Sequence, residues 1–340
     1  MKDINILLTS VGRRSYLVQY FKEALAGHGA VHVSNSTSIC PAFQFADYSI
    51  VTPLIYDSEY IPFLLDYCKR NHISAVLSLF DVDLPVLAAN RMAFKEIGVE
   101  LLVSDKNVID ICNDKWLAYL FLKEHGFHVV PSFCNFEDAK TALDNGIAKF
   151  PFIIKPRWGM GSIGIYEVWN MKELETIYQM VFRNISSSYL KYESTQDMNH
   201  CVLFQQKITG QEYGLDVINN LDGEYIHTVI KKKIAMRSGE TDCAITEENA
   251  ILSALGHKLS KQLKHIGNLD VDVFLTDTNT PYVLEMNARF GGGYPFSHAA
   301  GVNLPKAIVS WLRNEPTLPE WFHAKPNIMA QKDIQIITFS

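Results

Sequence analysis

The sequence predicts an α/β protein in two parts, an open parallel sheet followed by a region of hairpins and helices. Three observations carry this. Over roughly the first hundred residues short apolar runs alternate with amphipathic stretches, the pattern of strand–helix–strand units. From Ser104 the texture changes to two short helices and then to strand–turn–strand patterns. Finally, Tyr282-Val283-Leu284-Glu285-Met286-Asn287-Ala288-Arg289 reads as an apolar strand ending in a carboxylate, an amide and a guanidinium at alternate positions, which share one face.

In order, residues 5–9 are a buried strand, Val11-Gly12-Arg13-Arg14-Ser15 a turn, 16–26 an amphipathic helix and 30–34 a second strand. Helix 58–71, strand 75–79, helix 84–97 and strand 100–103 complete the first part. Two short helices follow, the second opening at Asn113-Asp114-Lys115-Trp116, where Asn113 or Asp114 suits an N-cap. Strand 150–155 delivers Lys155; Pro156 ends it, and the loop Arg157-Trp158-Gly159-Met160-Gly161-Ser162-Ile163-Gly164 leads into strand 165–169. Residues 184–200 are polar, without apolar periodicity, and are expected to be an exposed excursion. Residues 201–217 read as strand, turn, strand; 225–234 is a further strand running into a cationic loop, 231–241. Helix 247–265 returns the chain to strand 269–275, and a last helix follows Asn303-Leu304-Pro305.

Composition narrows the function. The 340 residues are 48% hydrophobic and 20% charged, as in a soluble globular protein, and the net charge of -6 provides no basic field for nucleic acid or an anionic membrane. The six cysteines, Cys40, Cys68, Cys112, Cys134, Cys201 and Cys243, have no C-x-x-C spacing and read as reduced core thiols. With no signal-like N-terminus and no apolar run of spanning length, a cytoplasmic location is expected.

Several clusters carry chemistry. Pairing strand 269–275 with strand 282–289 through Thr276-Asp277-Thr278-Asn279-Thr280-Pro281 sets Asp272 beside Glu285 and Asn287. These oxygen donors suit Mg²⁺, which keeps few protein ligands; a lone E-x-N is otherwise the solvated face of an edge hairpin. Lys155 before a glycine-rich loop suits phosphate oxygens, since glycines let backbone N–H groups approach closely. The same loop without the lysine would be a plain hairpin, and its place before a strand separates it from a Walker A loop. The Gly12-Arg13-Arg14 turn and Phe80-Asp81-Val82-Asp83 fall at strand carboxyl ends, where open sheets bind ligands. G-x-G-x-x-G is absent, so no dinucleotide site is indicated; Arg13 and Arg14 serve equally as a solvated pair or an anion site.

The ordered blocks "VGRRSYLVQYFKEA" with "LFDVDL", "NDK", "FIIKPRWGMGSIG", "FQQKITGQEYGLDV" and "LDVDVFL" with "YVLEMNARFGGGYP" resemble the ATP-grasp superfamily. Specifically, the chain resembles a short, single-unit version of the carbamoyl-phosphate synthetase large subunit over residues 4–312. The resemblance implies a pre-ATP-grasp domain with an α/β parallel sheet (1–112). An α+β ATP-grasp fold of two subdomains (113–200, with a lid loop, and 201–315) and a C-terminal extension (316–340) follow.

It implies that Lys115 and Lys155 contact nucleotide phosphates under a lid of Gly159, Met160, Gly161 and Ser162. Gln205, Gln206, Lys207 and Ile208 would read adenine at a hinge, and Glu212 would contact the ribose or phosphate region. Asp272, Glu285 and Asn287 would hold Mg²⁺ or Mn²⁺, and Arg289 would steady the transferred phosphoryl group, with Lys233 and Arg237 beside it. The acceptor is placed near Arg13, Arg14 and Asp81. Where the family often has an acidic residue this chain has Gln205 or Gln206, and Ala288 replaces the usual proline after the metal asparagine.

The implied activity is an ADP-forming carboxylate–amine ligase using ATP, with a small-molecule carboxylate and an amine as partners. Carboxyphosphate chemistry on bicarbonate is the alternative, and a non-catalytic nucleotide-binding module a third. The sequence does not fix the oligomeric state; a homodimer is the assembly to test.

Overall fold

The computed structural model describes residues 2–159, 164–188 and 190–339. Its first sheet contains β1 (Asn5–Thr9), β2 (Val31–Asn35), β3 (Tyr48–Val51), β4 (Ile73–Ser78) and β5 (Glu100–Leu101), all parallel, in the order β3-β2-β1-β4-β5. The central β1 pairs Ile6 with Val31 on one side and Leu7 with Val76 on the other. Its run Ile6-Leu7-Leu8 is wholly buried, as expected of a strand covered on both faces. Helix Ser15–Leu25 covers one face through Leu17, Val18 and Phe21, and helix Tyr60–Arg70 the other through Tyr60 and Leu64.

A four-stranded sheet follows, built from β6 (Ser132–Phe133), β7 (Phe152–Pro156), β8 (Tyr166–Val168) and β9 (Val202–Gln206) in the order β6-β9-β7-β8. Its core of Phe152, Ile154, Leu174, Ile185 and Phe204 is separate from that of the rest. A six-stranded antiparallel sheet comes last, with β10 (Gln211–Asn219), β11 (Tyr225–Arg237), β12 (Glu240–Thr246), β13 (Asn268–Leu275), β14 (Pro281–Asn287) and β15 (Met329–Gln331) in the order β14-β13-β10-β11-β12-β15. Leu215, Val217 and Val271 of this sheet join one apolar cluster with Leu7, Leu64 and Val76 of the first, so the two share a core.

Several elements differ from expectation. β3 carries no periodic signal, being an edge strand with both faces largely exposed. Helix 84–97 is two helices, Asp83–Ala89 and Arg91–Glu96, because Asn90 leaves helical geometry (φ -108°, ψ 13°) and folds its Nδ2 back onto the Val86 carbonyl. Residues 184–200 are largely exposed, as expected, but the described ones are partly helical. Helix Met171–Ser187 runs into the segment, a short helix Lys191–Ser194 follows, and Ile185, Leu190 and Ser194 are buried. Residues 231–241 are not a loop: β11 continues to Arg237 and turns through Ser238 and Gly239, both at positive φ (52° and 78°), into β12. Two successive positive-φ residues match the twist of a tight hairpin. Among the described residues all six cysteines are free, five of them buried, and no helix is long and apolar enough to cross a membrane.

Candidate active site

The β13–β14 hairpin sets Asp272 opposite Glu285 and Asp270 opposite Asn287. These four side chains line a cavity of about 240 Å³, together with Lys233, Arg289 and Asp81 among others. Lys233 arrives from β11, two strands away, and its Nζ lies 2.6 Å from Asp272 Oδ1 and 2.7 Å from Glu212 Oε1. It passes over Gly214 of β10, which stands opposite Asp272; a Cβ there would meet Lys233 Cε at 3.5 Å, an ordinary contact. Burial works against charge on Lys233, but Asp272 and Glu212 outweigh it and hold the ammonium above its ordinary range. Burial pushes the Asp272 carboxyl up to about 6, with Asp270 and Glu285 adding to the effect and Lys233 opposing it.

Arg289 follows β14 and ties two parts of the chain together. Its Nη2 and Nε donate to Asp81 Oδ2 at 2.7 and 3.1 Å, and its Nη1 donates to Asp270 Oδ2 at 3.1 Å. Arg14, at the N-cap of the first helix, donates to the Phe290 carbonyl at 2.6 Å and lines the same cavity. Arg13 is exposed and does not line it. Arg237 also stays outside, its half-exposed guanidinium 2.6 Å from Asp242.

On the other side stand Lys115 and Lys155. Asp114 caps the helix that Lys115 begins, accepting from the Trp116 and Leu117 amides, and also receives two hydrogen bonds of 2.7 Å from Arg157. Such a paired contact to a planar guanidinium fixes geometry, so the end of β7 is held against the start of this helix. Lys115 Nζ donates to the Gly159 carbonyl at 2.6 Å and lies 3.4 Å from Glu285 Oε1. Lys155, buried in β7, donates to Gln205 Oε1 at 2.9 Å. Burial lowers its ammonium to about 8, and Lys115 adds to the shift while Glu285 opposes it.

Gln205 belongs with Lys115, Tyr119, Val130, Val283 and Met286 to the lining of a narrow cleft of about 20 Å³, its wall about as polar as apolar. In the segment after it, the amides of Gln206 and Lys207 donate to the Pro131 and Pro151 carbonyls. Lys207 Nζ pairs with Glu167 at 2.7 Å, and Ile208 follows in the connection to β10. Met160, Gly161 and Ser162 lie outside the described residues.

Among the described residues no three His, Cys, Asp or Glu side chains gather closely enough to hold a metal. Asp272 and Glu285 with the Asn287 amide nevertheless form a donor set that fits Mg²⁺, which takes one or two carboxylates and completes its shell with water and phosphate oxygens. A bound cation would favour the charged Asp272 carboxylate against the burial, and the neighbouring Asp270 and Glu285, that raise it.

Several participants carry no sequence signal of their own. Asp270 had one, since it alternates with Asp272 in the same strand. The Asp114–Arg157 pair, Glu240 with its partner Lys332 at 3.0 Å, and Glu193 come together only through tertiary structure.

Residues 112–293 match the ATP-grasp domain family, and residues 6–102 match the PylC-like N-terminal domain. The carbamoyl phosphate synthase large chain of Pseudothermotoga lettingae is 24% identical over 277 residues, covering 78% of this chain and 24% of that one. The large chain from Pyrococcus furiosus is 25% identical over 261 residues, 70% of this chain and 23% of that one. The protein thus spans about a quarter of the length of these relatives.

Among solved structures, N5-carboxyaminoimidazole synthetase from Staphylococcus aureus aligns with a TM-score of 0.69 at 18% identity, covering 94% of this chain and 80% of that one. Biotin carboxylase from Campylobacter jejuni aligns at 0.71 and 17% (96% and 74%), and the L-amino acid ligase from Bacillus licheniformis at 0.67 and 19% (96% and 78%). The ATP-grasp match takes in more than half of the sequence, and the solved relatives share its fold; the chain belongs to the ATP-grasp family.

Proposed function

We propose that the protein is an ATP-dependent, ADP-forming ligase that activates a small-molecule carboxylate as an acyl phosphate for attack by an amine. The observation that carries this reading is the registry of Asp272 with Glu285, with Asn287 on the same strand, in a cavity also walled by Arg289 and Lys233. In this reading residues 113–200 and 201–315 are the subdomains that close on ATP. The cleft beside Gln205 marks where adenine enters, with Tyr119, Val130, Val283 and Met286 giving its apolar contacts, and the Ile208 amide is the hinge donor left to read it.

Lys115 and Lys155 face the phosphates, and Asp272, Glu285 and Asn287 hold Mg²⁺ or Mn²⁺. The bound ion would neutralise phosphate charge and fix the phosphate orientation. Arg289, kept rigid by Asp81 and Asp270, stabilises the charge of the phosphoryl group in flight. A carboxylate oxygen, brought in past Arg14, bonds to the γ-phosphorus as the bond to ADP breaks. The amine nitrogen then bonds to the carbonyl carbon, inorganic phosphate leaves, and the amine loses a proton. No side-chain nucleophile is needed. Arg237, paired with Asp242 outside the cavity, takes no part in this path.

A second reading, carboxyphosphate formation from bicarbonate, is favoured by the names of the relatives, which include carbamoyl phosphate synthase and biotin carboxylase. Hydroxylamine separates the two. An acyl phosphate from the right carboxylate should give a stable hydroxamate together with ADP, whereas bicarbonate should support ATP hydrolysis without one. ADP release from bicarbonate alone, with no hydroxamate from any carboxylate tested, would replace the first reading by the second.

A further inference from the structure

The motif Phe80-Asp81-Val82-Asp83 carries two carboxylates, and only the first lines the large cavity. Asp83 lies behind it, wholly buried at the start of the helix Asp83–Ala89. Four hydroxyls converge on its carboxylate. Thr9, Ser10 and Ser78 donate to Oδ2 at 2.5, 3.0 and 2.9 Å, and Tyr60 donates to Oδ1 at 2.5 Å. All four partners are neutral. Taking a carboxylate out of water to meet neutral donors costs free energy that an apolar side chain would not, so core packing alone is no account of this group.

Its connections lead to the site. Thr9 and Ser78 end β1 and β4 and stand opposite each other in that parallel pair, so the carboxylate ties two neighbouring strand ends together. Ser10, the next residue after β1, is held by the same oxygen at a φ of 51°, uncommon for a residue with a side chain. From β4 the chain turns at once. The Asp83 amide donates to the Phe80 carbonyl at 3.1 Å, closing a four-residue turn with Asp81 at its second position. Both ends of the turn are anchored: Phe80 through Ser78 Oγ, which accepts from its amide at 3.2 Å, and Asp83 through the hydroxyls. What the turn presents is the Asp81 carboxylate, which receives Nη2 and Nε of Arg289 at 2.7 and 3.1 Å.

We propose that Asp83 is a positioning residue, which fixes the turn that carries Asp81 and through Asp81 sets the guanidinium of Arg289. The inference rests on the ligase reading for what Arg289 then does, and it extends that site to a residue that lies outside the cavity. A misplacement of about 1 Å can cost about 10²-fold in rate, so a shift of this turn reaches the chemistry without any change of charge in the cavity.

The test reads Arg289 directly and needs neither nucleotide nor carboxylate. The full chain is labelled with ¹⁵N-arginine, and the Nε–H signals of Arg289 and Arg157 are assigned by their loss in Arg289→Lys and Arg157→Lys. Exchange of each proton with solvent is then followed by NMR. Arg157 Nε donates to Asp114 at 2.7 Å, on the end of β7 and the helix that Lys115 begins, and serves as the internal reference. Asp83→Ala should speed exchange at Arg289 by at least about tenfold, the scale of losing a hydrogen bond to a charged group, with Arg157 unchanged. Asp83→Asn keeps the size and part of the acceptor set, and should recover part of the protection. Tyr60→Phe removes one of the four donors and should shift Arg289 in the same direction, which keeps the test decisive if Asp83→Ala does not fold. Unaltered exchange at Arg289 in the folded variants would leave Asp83 a structural role alone and overturn the proposal. Equal acceleration at both arginines would mean general loosening and would overturn it too. Either failure leaves hydroxamate formation untouched, and a failure to form hydroxamate would defeat the ligase reading whatever the exchange rates gave.

Discussion

Asp81 Oδ2 accepts two hydrogen bonds from Arg289, joining the turn after β4 to the end of β14 and so locking the first sheet to the strand that carries Glu285 and Asn287. A guanidinium held from two sides by Asp81 and Asp270 cannot swing away when a phosphoryl group passes. Asp81→Ala is expected to lower kcat by about tenfold or more, with a smaller change in the KM for ATP, because positioning is lost while the charge remains. Steady-state kinetics of ADP release check this; an unchanged kcat would reduce the contact to a structural link.

Glu285→Gln keeps the size of the side chain but removes one of the carboxylates proposed for the metal. Turnover should fall by roughly 10²-fold or more, while the thermal midpoint moves little. ADP release measured across a Mg²⁺ titration tests it, since a metal ligand should also raise the Mg²⁺ concentration required. Full activity at the wild-type Mg²⁺ requirement would remove Glu285 from the site.

Lys155 gives a pH dependence whose sign follows from its burial. Its folded-state value of about 8 lies below the ordinary 10.5, so between these values the folded protein binds fewer protons than the unfolded one. This lysine's contribution to stability therefore becomes more favourable as pH rises from about 8 to 10.5. ATP binding runs the other way, because phosphates need the charged form. Affinity should fall above pH 8 by up to about tenfold per unit, and Lys155→Arg should flatten the profile. Calorimetric titration with ATP at fixed ionic strength would show it; a flat wild-type profile would place the phosphates elsewhere.

The buried pair Lys231–Asp216 ties β11 to β10 beneath these residues. Both side chains are at most 2% exposed, and Ser297 and Asn268 also donate to Asp216. Asp216→Ala leaves an uncompensated buried ammonium and should lower unfolding free energy by about 3–5 kcal/mol. Removing both charges in Asp216→Leu/Lys231→Met should cost less. Urea denaturation distinguishes the two outcomes.

Much of this site could be read along the chain because it lies on regular strands. Period-two alternation placed Glu285 and Asn287 on one face, and the turn between the strands gave the register with Asp272. Lys155 was legible as a cation on an apolar strand, and the helix start was legible at Asn113 or Asp114, of which Asp114 is the cap. What could not be read depends on contacts between elements far apart in sequence. Arg14 and Arg13 are neighbours of identical chemistry, and only the packing of the first helix against Phe290 turns one toward the cavity and leaves the other in solvent. The polarity of 184–200 suggested exposure, because Ile185 and Leu190 are too few to show a period, yet Glu193 from that segment borders the site. The charge of 231–241 suggested a loop, where a long hairpin instead satisfies Lys231 and Lys233 with carboxylates from neighbouring strands.

Oxygen transfer tests the central claim most directly. The carboxylate that yields a hydroxamate is labelled with ¹⁸O in both oxygens and turned over with ATP, Mg²⁺ and the amine, and the released phosphate is analysed by mass spectrometry. Acyl phosphate formation requires that one labelled oxygen leave with phosphorus, so each phosphate should carry one ¹⁸O as the amide forms. Amide and ADP formed with unlabelled phosphate would contradict the account.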